Sequence, residues 1–401
     1  MHPSDDAKRT AMRPQTGGAS APSIADAERV REALTLDRRS NLWTGLARMG
    51  GILPAPGRAH EDPMALLRGR GDASGSGSPH GGLIRLASSP QPDGRPRFDT
   101  KIPSGGYGWW YVDAISEDGQ HALTIIAFIG SVFSPFYKRS GRHDPLDHAC
   151  LNVALYGPQA RWAMTERKRH NVKQSQDRLQ IGASVLRWTG EALEIDIEER
   201  DKRLFNPFRR RVSGTVRITP EIVNPTAFAL DPATKHRWHC LSPKARIEVD
   251  MKAPDLTWSG SAYLDSNFGS ESLEEGFRIW HWSRAHSSKG AMVCYEGVRR
   301  DGSRFASALR FAPDGKASAE AIPELAQLPR SKWLVERSTR SDNGAASVVR
   351  TWEDTPFYSR SEIQTELLGE NVVAVQESLD LDRFRSPVVQ FMLPYRMPRS
   401  G

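Results

Sequence analysis

GYGWWYVDAISEDG, Gly106 to Gly119, is the stretch from which the fold is read. Aromatic and β-branched residues dominate it up to Asp118-Gly119, a dipeptide that closes tight hairpins. An apolar run follows at once, ALTIIAFIGSVF from Ala122 to Phe133. That run is too short to cross a bilayer as a helix, and its residue types favour a buried strand. The same order returns about 170 residues later: GFRIWHWSRAHSSKG, Gly276 to Gly290, then AMVCYEG. An offset of this size suits one β domain, so the repeat predicts two related units in tandem.

The surrounding chain has the same texture. RIEVDM (Arg246 to Met251) and LEIDIEE (Leu193 to Glu199) alternate with period two, and RRDGS and APDGK supply two further Asp-Gly turns. No long segment after Phe98 carries a helical period. Strands at short spacing predict an all-β protein of barrels or sandwiches, with units at 96–243 and 244–401. Residues 1–95 differ, with TGGASAPS, GRGDASGSGSPHGG and SSPQPDGRPR. Such compositions bury too little apolar surface to offset chain entropy, so a largely disordered leader is expected. Within it, residues 23–48 place Ile24, Val30, Leu34, Trp43 and Leu46 among arginines, the pattern of an amphipathic helix for a membrane surface or the folded body.

The 401 residues, 38% hydrophobic, suffice for one large core or two ordinary ones. Cys150, Cys240 and Cys294 lie far apart without zinc spacing, which fits a reducing cytoplasm, and no secretory signal is visible. The formal charge of +7 permits an anionic partner. Its basic clusters, ERKRH (Glu166 to His170) and RRR (Arg209 to Arg211), read first as solvated loop charge. An anionic membrane is the better partner beyond that, because no nucleic-acid motif accompanies the charge; LFNPFRRR alone is weak support for base stacking.

Two short stretches carry the candidate chemistry. In GSAYLDSNFG, Gly260 to Gly269, an extended chain puts Tyr263 and Asp265 on one face before a turn-forming SNFG. In HRWHC, His236 to Cys240, His236 and Trp238 share a face. On neighbouring strands these four side chains would converge on one cavity. The bland alternative stays open: Asp265 caps a turn, and Trp238 and Tyr263 are ordinary core aromatics. A metal site is a poor reading, since His236 and His239 point to opposite sides of a strand and RHDPLDHAC matches no metal loop. GxGxxG, P-loop and GxSxG patterns are missing, and no pair of carboxylates stands out for glycosidase chemistry.

GGYGWWYVDAISEDG, LTIIAFIGSVFSPFY, LNVALYG, RWAMTER, HRWHCLSP and GSAYLDSNFGSESLEEGFRIWHWSR, in this order, resemble the carotenoid 1,2-hydratase (hydroxyneurosporene synthase) family of photosynthetic bacteria. The resemblance runs from about Phe98 to near the C-terminus. It implies two lipocalin-like β-barrels and a cofactor-independent hydratase acting on the terminal 1,2 double bond of acyclic carotenoids such as neurosporene and lycopene. It also implies catalytic roles for His236 and Trp238 (HxW) and for Tyr263 and Asp265 (YxD).

Alkene hydration needs a strong acid in a dry site, which a buried Asp265 would supply, with Trp238 and Tyr263 facing the cation. A protonated His236 beside Asp265 would oppose this by lowering the carboxyl pKa. A membrane-soluble polyene implies a peripheral enzyme, on the cytoplasmic side of the membrane, near other carotenoid-pathway enzymes. A carotenoid carrier without chemistry and a polyene cyclase are the rival readings.

Overall fold

The computed structural model describes residues 83–400 apart from 88, 90, 92 and 202–209. The amphipathic segment expected at 23–48 lies outside them, as does most of the leader. Its described end is not free: Ile84–Arg85 pairs with Phe228–Ala229 and through it joins the main sheet.

The all-β expectation holds. Fourteen strands form one sheet and seven a second, with a two-stranded hairpin beside them. Tyr107–Ser116 lies inside the first sheet, between Ala122–Ile129 and Asp255–Gly269. Asp255–Gly269 pairs in turn with the long strand His236–Ala253. The sheet curls until Arg161–Arg167 meets Leu193–Arg200, where Arg167 and Glu199 form a buried ion pair of 2.9 Å. Period-two alternation aims Val112, Leu123, Ile195, Ile247 and Leu264 into the space so enclosed.

The second sheet centres on Phe277–Ser287, between Gly290–Arg299 and Glu370–Asp380. One face packs Met292, Cys294, Ala308 and Ile363 with Leu328 of the hairpin Glu324–Leu328/Arg337–Ser341. Its other face meets the first sheet. The two repeated tryptophan-rich segments therefore confront each other, with Trp109 against Trp280 at 6.4 Å and Tyr111 against Trp282 at 5.8 Å between ring centres.

All three Asp-Gly turns form as expected, and the glycines at 119, 302 and 315 have φ of 66°, 85° and 82°. Each aspartate accepts a hydrogen bond from the backbone N–H two residues on, at 2.8–2.9 Å.

Other expectations need correction. The boundary placed at 243/244 falls inside His236–Ala253, and the chain changes sheet between Gly269 and Phe277. SNFG is not a turn; the strand continues through Gly269, because its residues pair on both sides. ERKRH is not wholly solvated. Glu166 is buried, accepting from Ser134 and from His148 at 2.9 Å. Finally, Pro387–Arg396 is a ten-residue helix, capped by Ser386 accepting from the Val389 N–H and opened by Pro387 at its first turn. Its apolar face is too short to have shown a sustained period.

Candidate active site

The site lies between the two sheets. On the strand Asp255–Gly269, Tyr263, Asp265 and Asn267 point out of the first sheet's interior, while Ala262, Leu264 and Phe268 point into it. The neighbouring strands add Tyr107, Trp109, Tyr111 and Asp113 on one side and His236, Trp238 and Cys240 on the other. In register, Asp265 lies between Tyr111 and Cys240, and Tyr263 is opposite Asp113.

Three of the four expected residues come together. Asp265 Oδ2 accepts from Tyr263 Oη–H at 2.8 Å and from Trp238 Nε1–H at 3.0 Å. Its Oδ1 is buried without a hydrogen-bond partner among the described residues. Burial raises the carboxyl from 3.8 to about 8; the two donors oppose this, while Glu377 and Asp113 add to it. The turn-cap reading of Asp265 fails, since the residue sits within a central strand.

His236 does not join them. It shares the Trp238 face, yet it lies four positions from Cys240, about 13 Å along an extended chain. Its Nδ1 meets the Tyr107 hydroxyl at 3.0 Å and its Nε2 faces Glu271 at 3.4 Å. Burial lowers its pKa and outweighs the opposing pull of Asp231 and Glu271. The feared conflict with Asp265 is thus removed by distance and by neutrality. His239, on the other side of the strand, is equally buried, between Ser89 Oγ at 2.9 Å and the Asn224 carbonyl at 2.7 Å.

The second sheet supplies the opposite wall. Trp282 packs edge-on to Tyr263 at 5.0 Å, and Tyr295 lies 5.1 Å from Trp238. From Trp238 an aromatic run passes through Tyr295, Trp280, Trp109, Phe128 and Phe133 to Phe384 in steps of 4.9–6.4 Å.

The other end of the site is ionic. Arg360 donates to the Tyr111 oxygen at 2.6 Å, to Glu377 at 2.5 Å and to Asp113 at 2.9 Å, and Arg284 donates to Asp113 at 2.7 Å. Burial alone would raise Asp113, but Arg284 and Arg360 hold it below the usual range. Two guanidiniums thus face the two carboxylates that bear on Asp265.

Alternation in GYGWWYVD puts Tyr107, Trp109, Tyr111 and Asp113 on one face, so this wall of the site is legible in the sequence. Arg284, Arg360 and Glu377 are not, because they arrive from strands distant in sequence. A 690 Å³ hollow lined by Glu194, Arg217, Asp250 and Trp258 crosses four strands of the first sheet and does not include Asp265.

Comparison with known proteins adds an independent line. The family model for carotenoid hydratase CrtC matches residues 125–401. The chain is 48% identical to an acyclic carotenoid 1,2-hydratase of Thiocapsa roseopersicina, covering 94% of this chain and 93% of that one. It is 43% identical to one of Rubrivivax gelatinosus, covering 95% of each. The likeness therefore reaches well into the first hundred residues, beyond the motifs that first carried it. Among solved structures, kievitone hydratase of Nectria haematococca aligns with a TM-score of 0.44 at 9% identity, over 76% of this chain and 100% of that one.

Proposed function

The chain belongs to the carotenoid hydratase family, and from that premise we propose that it adds water across the terminal 1,2 double bond of acyclic carotenoids such as lycopene and neurosporene, without a cofactor and with Asp265 as the proton donor. The observation that carries this reading is the division of labour within one carboxyl group. Oδ2 holds two donated hydrogen bonds, while Oδ1 is buried and partnerless. A proton on the group therefore belongs on Oδ1, where no protein acceptor competes for it. With a pKa of about 8 the group is largely protonated at neutral pH.

The chemistry then balances. Oδ1–H gives its proton to C2, the π electrons form the new C–H bond, and a tertiary cation remains at C1. Tyr263, Trp238 and Trp282 present aromatic rings to it, each worth roughly 2 kcal/mol or more in a desolvated site. Water attacks C1 and loses a proton to the Asp265 carboxylate, which restores the acid. His236 is too far from Asp265 to orient it. We assign it, with Tyr107 and the partly exposed Glu271, to proton exchange with solvent.

A polyene partitions into membrane, which supports a peripheral enzyme at the cytoplasmic face, near other enzymes of the pathway. No helix among the described residues is long and apolar enough to cross a membrane. The test is product analysis with lycopene in detergent, run in heavy water. One non-exchangeable deuterium at C2 and a hydroxyl at C1 are expected; tight pigment binding with no added water would refute the reading in favour of a carrier.

A further inference from the structure

We propose that the helix Pro387–Arg396 is the surface on which the enzyme sits on an anionic lipid bilayer. The proposal rests on the hydrocarbon substrate proposed above, and it assigns docking to a described part of the fold.

The helix has two unlike faces. Val389 and Leu393 are buried in the core between the sheets, and Met392 is buried as well. Val388 and Phe391 are 41% and 50% exposed, and Phe391 lies 5.5 Å from the Tyr395 ring. Spacings of three and seven residues from Val388 put these three on one stripe. A bulky apolar stripe facing water costs free energy that insertion into an acyl layer recovers.

Charge beside the stripe selects the lipid. The short helix Pro135–Arg139 packs against Pro387–Arg396 and carries exposed Lys138 and Arg139. Both charges stand on a helix in contact with the one that bears the stripe, so they would meet headgroup phosphates as the aromatic rings enter.

Position supplies the remaining argument. The aromatic run from Trp238 ends at Phe133 and Phe384. Phe384 belongs to the helix Leu381–Arg385 that leads directly into Pro387–Arg396. A polyene leaving the bilayer at this helix would meet aromatic rings from the surface to the acid, whereas the opposite end of the site is closed by the Asp113, Arg284, Arg360 and Glu377 cluster.

The experiment compares the full chain with V388D/F391D and K138E/R139E in flotation with vesicles of phosphatidylglycerol and phosphatidylcholine in equal parts, and of phosphatidylcholine alone. Hydration of lycopene is measured both in detergent and in the vesicles. We expect V388D/F391D to bind mixed vesicles at least tenfold more weakly and to lose vesicle hydration in proportion, with its detergent activity unchanged. K138E/R139E should lose binding to the anionic vesicles alone. Wild type that ignores both vesicles, or V388D/F391D binding within twofold of wild type, would overturn the proposal. Asp265→Asn separates the two readings: it should lose hydration in detergent while keeping full vesicle binding.

Discussion

Asp265→Asn has a consequence for stability as well as for turnover, and the two must appear together. The folded carboxyl group titrates at about 8 against an ordinary 3.8. Between those values the folded chain holds a proton that the unfolded chain has released, so stability falls as pH rises through this window. The slope approaches 1.4 kcal/mol per pH unit, and the span of roughly four units makes the full penalty on the order of 6 kcal/mol above pH 8. Asn does not titrate. Its amide leaves one polar atom without a partner at the Oδ1 position, a cost of about 1–3 kcal/mol that is independent of pH.

The diagnostic is therefore the slope. Urea unfolding followed by tryptophan fluorescence at pH 5, 6.5 and 8 should show the variant gaining about 4 kcal/mol on wild type across that range. Its turnover should fall by roughly 10²–10⁴-fold, the usual share of a general acid. Parallel stability profiles for the two proteins would mean that Asp265 is ionised at neutral pH, and the reasoning for its role as donor would fail.

Other substitutions probe the surroundings. Trp238→Phe removes a donor that favours the carboxylate, so the alkaline limb of kcat, expected near pH 8 in wild type, should move up by roughly one pH unit or more; an unmoved limb in a pH–rate profile would count against that hydrogen bond. Arg360→Met takes away the guanidinium paired with the partly buried Glu377 and one of the two that hold buried Asp113, and should cost about 3–5 kcal/mol in denaturant unfolding; a loss under 1 kcal/mol would show the cluster to be dispensable. A Cβ at Gly276 would lie 2.2 Å from His236 Nε2, so Gly276→Ala should displace that ring; because the proton cycle closes on Asp265, turnover in detergent should stay near wild type, and a loss of roughly 10²-fold would place His236 in the chemical step.

What the sequence determined by itself was local. Period-two alternation, β-branched and aromatic runs and Asp-Gly turns specify strands and hairpins, because backbone geometry and glycine's access to positive φ act over a few residues. The shared faces of His236 with Trp238 and of Tyr263 with Asp265 follow from the same pleat. The family motifs then singled out all four residues. The helix Pro387–Arg396 escaped because one turn of capping chemistry and three buried side chains leave no lasting period.

Only the tertiary structure decided what those faces meet. Register between strands, which no local pattern encodes, set Asp265 opposite Cys240 and left His236 about 13 Å along the chain from that pairing. Packing of the second sheet against the first then removed water from the carboxyl group and closed one end of the site with charges drawn from residues 113, 284, 360 and 377. An aspartate's acidity at neutral pH is a property of that burial, and burial is settled by residues far apart in sequence.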